Sequence, residues 1–153
     1  MNTTIERLPI YVREANPHDY PAICQLMKNE LGYSNLHEAK ALERLEQFRQ
    51  NRERATFVAV MDDEIAGFIG VIKSMAYTDD GYYMEIAALA VSAITRRLGV
   101  GTALLKKTEE WARLSGIYEI GLHSNMRRIE AHLFYEKNGY TKKSYWFYKN
   151  LSE

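Results

Sequence analysis

The chain has 153 residues, 46% of them hydrophobic, which is enough for one domain over residues 1–153 with a substantial core. Its 20 basic and 20 acidic residues cancel, so no overall field favours nucleic acid or an anionic membrane. No apolar run is long enough to span a bilayer, and the polar residues 1–7 contain no signal-peptide core. We therefore expect a cytoplasmic protein without a membrane partner.

Cysteine and histidine usage argues against a disulfide framework or a metal site. Cys24 is the single cysteine, and it lies among apolar residues of a predicted helix. A nucleophilic role would need an activating base nearby, whereas a small core residue is the simpler interpretation. The histidines show no ligand spacing, so we expect no metal; they are His18, His37, His123 and His132.

The hydrophobic pattern predicts alternating short strands and helices. In chain order these are a strand at 10–13, helices at 20–31 and 36–54, a hairpin of strands 56–61 and 65–75, a strand at 82–91, a helix at 100–115, a strand at 118–123, a helix at 128–137 and an aromatic strand at 140–148. This order predicts an α/β (α+β) fold with one mixed sheet and helices packed on its faces.

The loop Arg96-Arg97-Leu98-Gly99-Val100-Gly101 joins a predicted strand to a predicted helix. Its glycines allow the backbone to approach a ligand closely, and the first helical turn leaves amide groups without internal partners. With the helix dipole and two arginines, these donors favour a phosphate or pyrophosphate. A glycine-tightened helix start with no ligand is the alternative.

Three segments resemble the GNAT superfamily of acetyl-CoA-dependent N-acetyltransferases. They are residues 85–91 (EIAALAV), the loop 96–101 (RRLGVG) and residues 131–140 (AHLFYEKNGY). The loop satisfies the family pattern Q/R-x-x-G-x-G/A at every fixed position. One departure is Ala93-Ile94-Thr95, which replaces a lead that often contains proline and should alter the rigidity of the loop.

The resemblance implies a GNAT-like, mostly antiparallel central sheet with a splayed parallel strand pair, flanked by about four helices. It also implies acetyl-CoA as co-substrate, with its pyrophosphate on the loop amides and its pantetheine arm along the preceding strand. The implied cofactor-binding residues are Leu89, Ala90, Val91, Arg96, Arg97, Leu98, Gly99, Val100, Gly101, Thr102 and Asn125. Asn125 is equally a candidate for a loop cap, and Arg127 and Arg128 either contact the nucleotide end of the cofactor or face solvent.

Two residues are candidates for proton transfer by resemblance. Removing a proton from an alkyl amine of pKa about 10.4 costs roughly 4–5 kcal/mol at neutral pH, so a base is useful. Glu85 matches the position of a catalytic glutamate in some family members, acting directly or through a water; alternatively it faces solvent or binds the acceptor's cation. Tyr135 matches the family's general acid, with amphipathic packing as the alternative. His132 is more simply a structural donor, and amides near Leu89 would polarise the thioester carbonyl.

The acceptor is less determined by the sequence. We expect the primary amine of a small molecule, with Tyr33, Asp79, Asp80 and Tyr82 as candidate contacts that equally suit ordinary turns. The alternatives are a non-catalytic acyl-CoA-binding sensor or interaction module, and a protein-lysine or N-terminal acetyltransferase. The aromatic run at 145–148 is explained by strand packing rather than by nucleic-acid stacking, and a homodimer stays open.

Overall fold

The structure is a computed structural model, and it describes residues 8–78 and 81–152. The described residues form five strands and four α-helices. Their bounds are β1 Ile10–Glu14, α1 Tyr20–Glu30, α2 Glu38–Gln50, β2 Arg54–Met61, β3 Glu64–Met75, β4 Tyr82–Val91, α3 Val100–Leu114, β5 Ile120–Leu122 and α4 Ile129–Lys137. Short 3₁₀ turns at Pro17–Asp19 and Ala93–Thr95 precede α1 and α3.

The five strands form one sheet in the order β1-β2-β3-β4-β5. β1 to β4 are successive antiparallel neighbours, and β5 runs parallel to β4. The turn between β2 and β3 is made by Asp62 and Asp63, whose φ angles of 52° and 59° are those of a tight hairpin turn. The predicted hairpin and the mixed, mostly antiparallel sheet are therefore confirmed.

Helices cover both faces of this sheet. On one face, which we call the α1–α2 face, residues of α1 and α2 pack against Val58, Phe68 and Ala90 of the sheet. On the opposite face, the α3 face, Trp111 of α3 contacts Phe57 with ring centroids 6.0 Å apart. Burial of apolar side chains on both faces explains why the central strands carry nearly continuous apolar runs.

Cys24 lies inside the core of the α1–α2 face. Its side chain is fully buried, and burial raises the pKa of its thiol, with Glu38 adding to the shift. The interpretation as a small core residue is confirmed by this position.

The chain divides into two compact units, Met1–Gly121 and Leu122–Glu153. Most of the sheet and the helices α1 to α3 belong to the first unit, and α4 belongs to the second. α4 ends where the sequence predicts, because the Asn138 side chain caps the Phe134 carbonyl at 2.9 Å and Gly139 follows with φ 89°.

Two predictions about strands need correction. The predicted strand at 140–148 is wrong, since residues 140–152 lie in neither helix nor strand and the side chains at 145–148 are 67–91% exposed. An alternating aromatic pattern forms a strand only where a neighbouring strand supplies hydrogen-bond partners, and this segment has no such pairing. The predicted buried strand at 118–123 is reduced to β5, and Tyr118 is 82% exposed.

Candidate active site

The loop between β4 and α3 has the geometry of an anion site. Gly99 is the N-cap of α3 with φ 93°, a left-handed conformation that glycine adopts without strain, and Arg97 also has a positive φ of 65°. No side chain caps the helix, and its first bond runs from the Ala103 amide to the Gly99 carbonyl at 3.0 Å. The amides at 100–102 therefore lack intrahelical acceptors, and their donors lie at the positive end of a 15-residue helix.

Glu30, at the end of α1, ties this loop to the body of the fold. One of its carboxylate oxygens accepts from the Arg96 guanidinium at 2.6 Å, and the other accepts from the Ala93 amide at 3.1 Å. The Glu30 side chain is only 12% exposed, so the pair is partly shielded from water. Arg96 thus fixes the loop through Glu30, and the charge of Arg97 and the helix amides remain for an anion.

Thr95 provides a second attachment for the turn before α3. Its hydroxyl lies 3.1 Å from the Ser92 carbonyl and 3.4 Å from the Ala66 carbonyl on β3, and the Ser92 amide donates to the same Ala66 carbonyl at 2.8 Å. Side-chain hydrogen bonds of this kind restrain a turn without proline. The segment Ala93–Thr95 is accordingly a 3₁₀ turn.

Gly67 on β3 allows the start of α3 to approach the sheet. A Cβ at this position would lie 2.8 Å from the Ala90 carbonyl oxygen, 3.1 Å from Val100 Cγ1 and 3.2 Å from Leu104 Cδ1. Only glycine leaves this space free, and a glycine inside a strand pattern is the sequence signal for such an approach.

A β-bulge in β4 determines where Glu85 lies. Gly70 pairs with Ala88, whereas its neighbour Val71 pairs with Ile86, so Ala87 has no partner on β3. Because one residue is inserted, Glu85 shares a face with Ala88 and Ala90, and not with Leu89 as strict alternation would require. Glu85 is therefore on the α1–α2 face.

The Glu85 carboxylate has no charged partner in the described chain. Its register partner on β3 is Ile72, and both side chains are half-buried. No ion pair or side-chain hydrogen bond within the described residues occupies its carboxylate. The carboxylate is thus available to an incoming group.

The remaining cofactor candidates on β4 lie between the bulge and the loop. Leu89, Ala90 and Val91 pair with β3 on one edge. On the other edge the Met84 amide donates to the Glu119 carbonyl at 2.9 Å, and the short β5 ends at Leu122. Parallel strands advance together, so three residues beyond this bond β4 has reached the bulge at Ala87 and β5 has reached its end at Leu122. β5 therefore does not pair with Leu89 to Val91.

Tyr135 lies in the second unit, in the last turns of α4. Its ring is half-buried, with centroid distances of 5.2 Å to Phe134 and 5.9 Å to Tyr140. Burial raises the pKa of its phenol above the ordinary 10.0, and the charge of Arg128 opposes the shift. Its hydroxyl therefore keeps its proton at neutral pH.

Asn125 lies in the turn before α4, and His132 lies in the first half of that helix. Asn125 Oδ1 accepts from the Arg127 amide at 2.9 Å, and the Asn125 carbonyl lies 2.9 Å from His132 Nε2. These bonds give Asn125 the capping role that the sequence left open, and they give His132 a structural partner. Contact of Asn125 with the cofactor stays a prediction.

The acceptor candidates are only partly described. Tyr33 and Tyr82 are exposed at 58% and 45%, whereas Asp79 and Asp80 lie outside the described residues.

Within the described part of the chain, no group of three or more His, Cys, Asp and Glu side chains could hold a metal ion. No helix in that part is long and apolar enough to cross a bilayer.

Sequence reasoning missed three contributors to this site. Glu30 is distant from the loop in sequence, and only its partner Arg96 was singled out. The bulge at Ala87 lies within an apolar run whose residue types give no sign of an inserted residue. Gly67 was read simply as part of an apolar strand, although an isolated glycine there could have indicated close packing.

Comparison with known proteins identifies the family. The acetyltransferase (GNAT) family profile matches residues 20–140. An aminoalkylphosphonate N-acetyltransferase of Salmonella typhimurium is 31% identical over 132 residues, which cover 86% of this chain and 82% of the relative. Such identity over most of both chains goes beyond a shared motif.

Solved structures share the fold at lower identity. The aminoglycoside 6'-N-acetyltransferase AAC(6')-IG from Acinetobacter haemolyticus has a TM-score of 0.77 at 18% identity, covering 93% of this chain and 99% of that chain. The aminoglycoside N-acetyltransferase AAC(6')-Iy in complex with CoA has a TM-score of 0.84 at 16% identity, covering 97% and 99%. These structures share the fold, and the profile match and the curated relative confirm the predicted resemblance: this chain belongs to the GNAT acetyltransferase family.

Proposed function

We propose that this protein transfers the acetyl group of acetyl-CoA to the primary amine of a small molecule. The observation that carries the proposal is the uncapped start of α3, where Gly99 and the following amides form an anion site directly after β4. Membership of an acetyltransferase family supports an acyltransferase. The family match also spans parts of both compact units, which supports a single functional domain over residues 1–153.

The residues present fit acetyl-CoA. The amides from Leu98 to Thr102 and the Arg97 charge would hold the pyrophosphate, while the Glu30–Arg96 pair keeps the loop in place. Backbone groups of Leu89 to Val91 would bind the pantetheine arm as an added strand, since β5 does not pair with that edge. An amide near Leu89 would donate to the thioester carbonyl.

Glu85 would activate the amine. Its carboxylate lies on the α1–α2 face and is not engaged by another charged group of the described chain. It would accept the proton of the ammonium group directly or through a water, which exposes the lone pair for attack. The same negative charge would attract a cationic acceptor.

Tyr135 would protonate the departing CoA sulfur. A thiolate needs a proton donor, and burial holds the phenol of Tyr135 in its protonated form because it raises the pKa above 10.0. The proton would then move from the tyrosine hydroxyl to sulfur, and the tyrosinate would regain a proton from solvent or from the attacking nitrogen, which loses one as the amide forms.

The acceptor class rests on Glu85 and on the relatives. An unpaired carboxylate suits a cationic small molecule, and the similar proteins are named for aminoalkylphosphonates and aminoglycosides. We therefore expect one acceptor among these amines, polyamines and amino acids. A homodimer and a cytoplasmic location stay predictions.

The test combines acetyl-CoA binding by calorimetry with amine-dependent release of the CoA thiol. Glu85→Gln and Tyr135→Phe should bind acetyl-CoA as the wild type does, while kcat falls about 100-fold or more. The matched controls Glu64→Gln and Tyr145→Phe alter exposed residues and should leave both readouts unchanged. The alkaline limb of the pH–rate profile should lie above pH 10.0 and disappear in Tyr135→Phe.

Each other result has a definite meaning. Acetyl-CoA binding without thiol release from any amine would favour a sensor, and release only with peptides would favour a protein acetyltransferase. A folded protein that does not bind acetyl-CoA would refute the assignment of the loop. Full activity in Glu85→Gln would remove Glu85 from the mechanism.

A further inference from the structure

A cavity of about 680 Å³ lies in the first unit. It is formed by the end of β1, the start of β2, the end of β3, the α2–β2 loop and the second half of α3. A volume of this size is typical of small-molecule sites. None of its lining residues belongs to the loop at 96–101 or is used in the proposed reaction.

The lining of this cavity is strongly basic. Six of its side chains are lysine or arginine and one is acidic, although the whole chain carries 20 of each sign. Arg13 is paired with Asp19, and Arg49 is paired with Glu46. The other basic residues make no ion pair within the described part of the chain; they are Arg52, Arg54, Lys73 and Lys107.

Three of these unpaired charges are held above aromatic rings, the Arg54 guanidinium at 4.1 Å from the Phe48 centroid and the two lysines over a second group of rings. Lys73 Nζ lies 5.0 Å from the Trp111 centroid, and Lys107 Nζ lies 6.0 Å from the Phe57 centroid. The two rings contact each other edge to face at 6.0 Å, so both ammonium groups stand over one aromatic pair. The cations outnumber the single acidic side chain and repel one another, and a bound anion would relieve that repulsion.

The cavity is distant from the acetyl-CoA loop. Gly67 is next to Val100 at the start of α3, and Lys73 is six residues further along β3, about 20 Å away. Trp111 is eleven residues after Val100, about 16 Å along the helix axis. An anion bound here is therefore not the pyrophosphate of the cofactor.

We propose that this cavity binds a compact multivalent anion bearing phosphate groups. Several unpaired cations around one concavity match several negative charges on one ligand, and lysine is a point-charge binder of phosphate. A nucleic-acid strand fits less well, because the unpaired charges gather around one concavity instead of following a stripe.

The test follows the fluorescence of Trp111 while inorganic tripolyphosphate is added. The chain has two tryptophans, and Trp146→Phe leaves Trp111 as the one reporter, inside the cavity. We expect a saturable 1:1 signal whose Kd weakens as salt is raised. In that background Lys73→Gln/Lys107→Gln should weaken binding at least tenfold. The matched control Lys106→Gln, exposed on the same helix and outside the cavity, should not change it.

Acetyl-CoA binding and the thermal transition, measured on the same variants, report whether each is folded. If the double variant does not fold, Lys73→Gln and Lys107→Gln are tested singly, each expected to weaken binding at least threefold. Arg97→Gln, which alters the loop, should leave the Trp111 titration unchanged. Absence of saturable tripolyphosphate binding, an equal Kd in folded lysine variants, or binding of oligonucleotides alone would overturn the proposal. A failure of acetyl-CoA binding with the Trp111 titration intact would refute the proposed function and leave this site standing.

Discussion

Substitution of Gly67 by alanine tests how closely α3 packs on the sheet. The added Cβ would lie 2.8 Å from the main-chain oxygen of Ala90, about 0.6 Å short of the 3.4 Å at which ordinary contact begins. A main-chain oxygen cannot rotate away, and Val100 and Leu104 close the same space at 3.1 and 3.2 Å. Either β4 or the start of α3 must move. Overpacking of this kind costs about 1–3 kcal/mol, and 2 kcal/mol should lower Tm by roughly 6 °C.

Urea unfolding followed by circular dichroism measures this cost, and Gly70→Ala is the matched control. Gly70 lies on the same strand, and a Cβ there meets no atom within 4 Å. Gly70→Ala should therefore change the free energy of unfolding by less than about 0.5 kcal/mol, or raise it slightly through the unfolded state. Equal stability of Gly67→Ala and wild type would refute the close packing. Equal losses of stability in both variants would show that the loss comes from replacing any glycine of this strand, and not from the contact at Gly67.

The remaining predictions concern the loop, an ion pair and the cysteine. Gly99→Ala and Gly116→Ala both place alanine at a positive φ, 93° and 72°, and should each cost about 1 kcal/mol; only Gly99→Ala should also weaken acetyl-CoA binding in calorimetry. The bidentate ion pair with Arg13 lowers the pKa of Asp19 below the ordinary 3.8. The pair therefore stabilises the fold fully above pH 3.8, and this stabilisation is lost as the pH falls through the lowered pKa of Asp19. Urea unfolding should show the advantage of wild type over Asp19→Asn shrinking below about pH 4, and a constant difference would contradict this. Cys24 should react with a disulfide reagent only on unfolding, since it is buried and its thiol pKa is raised; rapid reaction in native buffer would be the opposite result.

Local patterns were sufficient for most elements. β4 has the bounds that the sequence predicts, Tyr82–Val91, and α3 differs from the prediction by one residue. The second helix is shorter than predicted, because Asn51 ends it with an extended backbone before β2 begins at Arg54. Alternation, helical periodicity and turn residues act over a few positions, so a single chain is enough to read them.

Long-range pairing was not accessible in this way. The aromatic residues at 145–148 alternate as a strand would, but a strand exists only with a partner, and the sequence does not specify one. β5 is shorter than the predicted strand for the same reason. The pattern at 118–123 indicates which residues could pair with a neighbouring strand, but it does not indicate which of them do.

The candidate site shows the same division. The sequence by itself determined the glycine turn, the start of α3 and the family, because these depend on residue types at fixed local spacing. The tertiary structure alone decided that Arg96 is held by Glu30 and that Glu85 lies on the α1–α2 face. Both depend on packing between distant segments, and the bulge at Ala87 reverses the face of every residue before it because side chains alternate with a period of two.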